Sequence, residues 1–157
     1  MTEHAIHISY QEYESIEELN PEDRELAAEA VQAMQSAYAP YSHFHVGAAV
    51  RLSNGIIVRG SNQENAAFPS GLCAERTAMF AASAQYPDAD MLSIAIAGGP
   101  EGLLDRLPAT PCGACRQVMA QYQAKSGKPM SILMVASGQV LKFEKVDDIL
   151  PLIFKSI

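Results

Sequence analysis

Apolar positions along the chain switch between helical and strand spacing, and the switches mark out its elements. Leu26, Ala30, Val31, Met34 and Ala37 or Tyr38 recur at helical intervals. Asn20-Pro21-Glu22-Asp23 opens that stretch as a helix start: an N-cap, a proline at the first helical position, and acids in the first turn. Pro40 is expected to stop it. Spacing then falls to two over residues 44–60. Val46, Ala48 and Val50 alternate with Gly47, Ala49 and Arg51, Ser53-Asn54-Gly55 supplies a turn, and Ile56-Ile57-Val58 returns, predicting a β-hairpin.

Cys73 to about Tyr86 predicts a second helix, ended before Pro87, and Met91–Ala97 a short apolar strand. A Gly/Pro-rich loop runs to Pro111, followed by a third helix from Cys112 to Lys125 and strands at Ser131–Ala136 and Val140–Glu144. A last short helix is expected from Asp147 toward Pro151. Residues 1–19 are polar and acidic with weak alternation through Ala5, Ile6 and Ile8, and read as an N-terminal extension, partly ordered at best. Early strands followed by strand–helix–strand predict an α/β fold, a mixed sheet covered by helices on both faces. No repeat or linker interrupts residues 20–157, which read as one domain.

Composition narrows the function classes. A chain of 157 residues with 48% hydrophobic and 18% charged residues buries a core without crosslinks and is not disordered. Eleven basic against eighteen acidic residues leave a formal charge of −7, and no basic run occurs, which argues against a nucleic-acid partner. Met1-Thr2-Glu3-His4 lacks the basic and apolar regions of a signal peptide, and no apolar run approaches the roughly 18 residues of a membrane span. Three cysteines cannot form a closed disulfide set, so metal binding or catalysis in the cytoplasm is the expectation.

The chemistry concentrates in Cys73-Ala74-Glu75-Arg76 and Pro111-Cys112-Gly113-Ala114-Cys115-Arg116-Gln117. Each segment lies at a predicted helix start, where unpaired backbone N–H groups and the helix dipole favour a thiolate. Cys112 and Cys115, three apart, share a helix face. With Cys73 from a facing helix they would form three legs of a tetrahedron around zinc. Structural zinc sites are closed by four protein ligands, whereas catalytic ones keep a position for water, and no fourth cysteine exists. Glu75 is close enough to face the open position without filling it, as a proton carrier. Three thiolates around a dication leave an excess negative charge, which Arg76 is placed to offset, with Arg116 a lesser candidate. A lone Cys-x-x-Cys would also fit a redox pair or chance; the preceding proline and the upstream Cys-x-Glu favour the metal reading.

Taken together, these residues resemble the three-cysteine form of the zinc deaminase signature, and the chain is similar to the small homotetrameric cytidine deaminases. That resemblance runs from about Glu22 to Phe154 through separated motifs: Ala39-Pro40-Tyr41-Ser42-His43-Phe44-His45-Val46-Gly47-Ala48-Ala49, Asn62-Gln63-Glu64-Asn65-Ala66-Ala67-Phe68, CAERTA from Cys73, PCGACRQ from Pro111, and Leu150-Pro151-Leu152-Ile153-Phe154. It implies a three-layer α/β/α sandwich with about five strands and one Zn2+ per subunit. It implies that Glu75 shuttles a proton from water to the ring nitrogen and then to departing ammonia. Asn62 and Glu64 match the pair that hydrogen-bonds the ribose hydroxyl, Phe44 the aromatic against the pyrimidine, and Ala74 joins these substrate-binding positions. Phe154 matches a C-terminal phenylalanine extended into a neighbouring subunit's site, which would make a homotetramer with shared active sites the working form. Read alone, Phe44 is a core strand residue, Phe154 an apolar tail residue, and Asn62 and Glu64 solvated turn residues. Phe68 stands where the family often has tyrosine, removing a hydroxyl. His43 and His45 invite a metal assignment, but packing or surface roles fit them better.

The expected reaction is hydrolytic deamination of cytidine and 2′-deoxycytidine to the uridine products and ammonia, in pyrimidine salvage. Deamination of a modified or antibiotic cytosine nucleoside is the minor variant, since Asn62-Gln63-Glu64-Asn65 suits a plain ribose. Editing of nucleic acid would require a basic channel. A non-catalytic zinc scaffold is disfavoured by Glu75 and the missing fourth ligand.

Overall fold

A computed structural model describes residues 1–154. Six strands form one mixed sheet: β1 (Gln11–Tyr13), β2 (Phe44–Leu52), β3 (Ile57–Ser61), β4 (Met91–Pro100), β5 (Ser131–Val135) and β6 (Val140–Phe143), ordered β1-β6-β5-β4-β2-β3. Only β4 and β5 pair in parallel, joined through α3 (Gly113–Ser126). α1 (Pro21–Ala33) covers one face, and α2 (Ala74–Gln85) with α3 covers the other, giving three α/β/α layers.

Strand alternation divides the core. Ala49, Ala95, Ala97, Leu133 and Val135 meet Leu26, Ala27, Ala30 and Met34 of the α1 layer. Their neighbours Ala48, Val50, Ile94, Ile96, Ile132 and Met134 face Ala74, Ala78, Met79, Cys115 and Met119 of α2 and α3. Asn20 caps α1 as expected, its side chain accepting from the Asp23 amide at 2.9 Å. The helix ends at Ala33, sooner than Pro40 requires, and a 3₁₀ turn follows at Met34–Ser36. The Ser36 carbonyl is taken by the Ser61 hydroxyl at 2.9 Å, which draws the chain toward β3.

Three expectations are corrected. The sheet has six strands instead of about five, because Gln11–Tyr13 pairs antiparallel with Val140–Lys142 at the edge. The later part of the N-terminal extension packs on the fold: Leu19 is buried, and Tyr13 and Ile16 pack against the α1 layer. β1 escaped notice because its three residues are mostly exposed and lack alternation, and the open edge of β6 supplies the reason to pair. β4 continues past Ala97 to Pro100 because β2 pairs with it through Phe44. The last helix is a single 3₁₀ turn at Val146–Asp148, one residue earlier and shorter than expected. Among the described residues, no helix is long and apolar enough to cross a membrane.

Two glycines set how closely the layers approach. A Cβ at Gly47 would lie 2.1 Å from the Ala30 carbonyl oxygen, and one at Gly60 would lie 2.3 Å from the Ala78 nitrogen and 2.7 Å from the Ala74 oxygen. The α2 backbone therefore rests directly on β3. Gly60→Ala must push α2 off the sheet, and a stability loss of about 1–3 kcal/mol is expected in chemical denaturation. An unchanged midpoint would show that the seat is not tight.

Candidate active site

The two neighbouring helices α2 and α3 begin at Cys73 and Cys112, which are their N-cap residues, both in extended conformation. Cys115 follows in the first turn of α3, fully buried, while Cys112 is exposed and Cys73 lies between. Sulfur separations are 3.9 Å for Cys73–Cys112 and 3.5 Å for Cys112–Cys115. All three sulfurs lie within 4.8 Å of one another, and they form the one cluster among the described residues suited to a metal ion. Tetrahedral zinc–thiolate bonds of about 2.3 Å require sulfurs about 3.8 Å apart, so the donor set fits zinc.

The electrostatics favour one thiolate, at Cys73, with a proton held at Cys115. The Cys73 thiol is held down to about 5 by the hydrogen bond it receives from Cys115, helped by Arg76 and Cys112. Cys115 is pushed far up, because it donates its proton to Cys73 and is buried. A metal would displace these shared protons. Arg76 donates from Nη2 to the Cys73 sulfur at 3.5 Å, and its Nε is buried without a partner, a cation aimed into an electron-rich cluster. Glu75 is 4% exposed, and its carboxyl is raised first by burial and then by the Cys73 charge.

A cleft of ≈ 830 Å³ opens beside the sulfurs, lined among others by Asn62, Glu64, Phe68, Cys73, Arg76 and Cys112. That volume suits a small organic ligand. Asn62 and Glu64 reach the cleft already engaged with backbone. Asn62 Oδ1 accepts from the Val46 amide at 2.8 Å, and its Nδ2 donates to the Phe44 carbonyl at 2.9 Å. Glu64 Oε2 accepts from the Tyr41 and Ser42 amides at 2.8 and 3.3 Å. The Ser42 hydroxyl, then these amides, hold the Glu64 carboxyl below the usual carboxylate range, so it is ionised. Phe68 stands on the rim with its ring 90% exposed.

Other expected positions lie apart. The Ala74 side chain is buried in the core, so its unpaired first-turn N–H is the group it offers to the site. Phe44 is 36% exposed, with its ring edge near Gly98, outside the cleft lining. Phe154 is 81% exposed and also outside that lining, its carbonyl accepting from Gln117 Nε2 at 2.9 Å. Arg116 does not share the role of Arg76: its guanidinium donates to the Pro111 and Ile149 carbonyls at 2.8 and 2.9 Å, and no bond to sulfur forms. His43 has φ 55° and faces Glu101 at 3.8 Å on the surface, and His45 lies by Gly102; neither joins a ligand set. Sequence reasoning gave no site role to Tyr41 and Ser42, which line the cleft. Both belong to a motif noted above, but the contact between that turn and Glu64 is what brings them to the site.

Layered α/β/α architecture, with two helix starts presenting three cysteines next to a buried glutamate, defines the zinc-binding deaminase class. The sequence family described as the cytidine and deoxycytidylate deaminase zinc-binding region matches residues 20–128. A cytidine deaminase of Halalkalibacterium halodurans is 46% identical over 96 residues, which cover 61% of this chain and 68% of that one. One from Sporosarcina psychrophila is 43% identical over 97 residues, covering 62% and 67%. Among solved structures, the cytidine deaminase of Burkholderia pseudomallei superposes with a TM-score of 0.71 at 38% identity, covering 83% of this chain and 97% of the other. That of Mycobacterium tuberculosis gives 0.67 at 31%, covering 84% and 96%. The chain belongs to the cytidine and deoxycytidylate deaminase family.

Purified protein is expected to hold zinc in a one-to-one ratio by metal analysis, and Cys73→Ala, Cys112→Ala and Cys115→Ala each to lose it. Stoichiometric zinc in the Cys112→Ala protein would rule out a three-thiolate centre.

Proposed function

We propose that this chain hydrolyses cytidine and 2′-deoxycytidine to the corresponding uridines and ammonia, as an enzyme of pyrimidine salvage. The observation that carries this reading is the gathering of Cys73, Cys112 and Cys115 within 4.8 Å, next to the buried Glu75. These cysteines would hold one Zn2+ per subunit, which when bound lowers the pKa of a water in its open position to about 7 and so supplies a nucleophile near neutral pH. Glu75 takes the proton from the water that adds to C4 of the cytosine ring and passes it to ring N3. A second proton, moved by the same carboxyl to the amino nitrogen, lets that group leave as ammonia. Burial raises the Glu75 carboxyl, which suits a group that must both accept and release protons. Arg76 offsets the excess thiolate charge.

Asn62 and Glu64 bind the ribose hydroxyls, with the Ala74 N–H as a further donor. Their backbone bonds hold them in place before substrate arrives. Phe44 packs against the pyrimidine. Phe154 completes the site of a neighbouring subunit in a homotetramer; its exposure, outside its own chain's cleft, supports that role. The catalytic unit is residues 20–157 and residues 1–19 are an addition that contributes β1, a division supported by the family match beginning at residue 20. The free cysteines suit a reducing compartment, the cytoplasm. A nucleic-acid substrate is disfavoured by the charge of −7 and by a cleft in which Arg76 is the one Lys or Arg among the described lining residues.

Absorbance assays on free nucleoside test the reading. Cytidine absorbance is expected to fall with wild-type protein, and Glu75→Ala to lower kcat by about 10²–10⁴-fold while zinc stays bound. A fully active Glu75→Ala protein would sink the mechanism, and turnover of cytosine in single strands but not of nucleoside would favour editing. Truncation after Pro151 is expected to remove most activity; unchanged turnover would dispose of the cross-subunit role of Phe154.

A further inference from the structure

The chain after β6 does not wander over the surface but runs back along α3 toward the thiol cluster. At the far end of the helix, Gln123 accepts from the Val146 amide at 2.9 Å and donates to the Asp147 carboxylate at 2.7 Å. At the near end, Arg116 donates to the Ile149 carbonyl at 2.9 Å and Gln117 to the Phe154 carbonyl at 2.9 Å. Val146 and Ile149 are buried beneath this strap, in the core cluster that contains Cys115. The same Arg116 side chain reaches back with its Nε to the Pro111 carbonyl at 2.8 Å.

Pro111 is buried, lacks an N–H, and ends an irregular loop whose next residue is Cys112. Its carbonyl orientation sets the torsion through which the chain enters Cys112, and hence where that sulfur points relative to Cys115 one turn on. A guanidinium is suited to this task because its planar fork donates to two carbonyls at once, whereas an ammonium acts as a point donor. The two arginines at the cluster thus divide the work. Arg76 touches sulfur and supplies charge; Arg116 touches only carbonyls and supplies geometry.

We infer that Arg116 is a positioning residue for the Cys112–Cys115 pair, tying the loop before Cys112 to the Ile149 carbonyl so that retention of the metal depends on that local tie and not on the strap's far end. The inference rests on the reading of Cys73, Cys112 and Cys115 as zinc ligands. It assigns the backbone at Ile149 a task within its own chain, separate from the contact proposed for Phe154 with a neighbour.

Zinc release from the loaded, full-length protein to a chromogenic chelator measures this without any assay of turnover. Arg116→Ala is expected to release zinc about 10–100-fold faster than wild type, the scale on which groups that orient metal ligands act. Arg116→Lys, able to reach one carbonyl at a time, is expected to fall between. Cobalt-loaded Arg116→Ala should show shifted visible bands, reporting altered sulfur geometry. Gln123→Ala breaks bonds at the other end of α3 and serves as a control: it should lower Tm yet release zinc within about twofold of wild type. If Arg116→Ala folds poorly, Arg116→Gln, which keeps one donor group, is read in the same way. Wild-type release and unshifted cobalt bands in the Arg116 variants would overturn the inference alone, as would equal acceleration in Gln123→Ala. A wild-type chain that takes up no zinc, or a Cys112→Ala chain that keeps it, would overturn the site reading and this inference with it.

Discussion

The first turn of α2 lies against β3 at Gly60, where backbone meets backbone with no side chain between them. From that seat Cys73 and Glu75 take their positions, and α3, packed beside α2 on the same sheet face, brings Cys112 and Cys115 to meet them. Three sulfurs within bonding reach of one ion are a demanding arrangement. It works because each sulfur comes from a helix start seated on a rigid sheet, and none from a loop free to relax. A shift of an ångström in either helix would open the triangle.

Gathering thiols also concentrates negative charge, and the site answers it with more than one device. Both helix N-termini direct unpaired N–H groups and the positive dipole end toward the cluster. Arg76 adds a full cation against Cys73. Glu75, one residue away, is kept from water, so the carboxyl that would most oppose the thiolates is also the one whose protonation burial favours. The opposite environment holds Glu64 ionised at the far side of the cleft. Glu64 in the cleft lining and Glu75 buried beside the cysteines therefore carry different protonation tendencies, each suited to the role proposed for it.

The cleft wall is assembled by cross-bracing between segments distant in sequence. Asn62 bonds to the backbone of β2 at Phe44 and Val46, and Glu64 to the turn at Tyr41 and Ser42. The polar side chains proposed to bind the ribose are thus also the clasps that hold the wall together. Arg116, Gln117 and Gln123 do the same for the floor, clasping the C-terminal strap to α3.

Local pattern alone determined a good deal. The Asn20 cap, the 44–60 hairpin, the helices beginning at Cys73 and Cys112, and the strands at 91, 131 and 140 all follow from spacing and turn residues, because their physical causes lie within a few positions of one another. The pairing of Cys112 and Cys115 was legible for the same reason: two cysteines three apart share a helix face wherever that helix is placed. What tertiary structure decided depends on partners far along the chain. β1 is a strand because β6 offers an open edge, α1 gives way to a 3₁₀ turn at Met34 where Ser61 takes the Ser36 carbonyl, and Tyr41 and Ser42 face the cleft because Glu64 holds them. Arg116 makes the point most sharply. In the sequence it is the lesser of two candidates to offset the thiolate charge; Arg76 reaches Cys73 within its own helix turn, whereas packing brings Ile149, 33 residues away, within reach of Arg116 and makes it a brace.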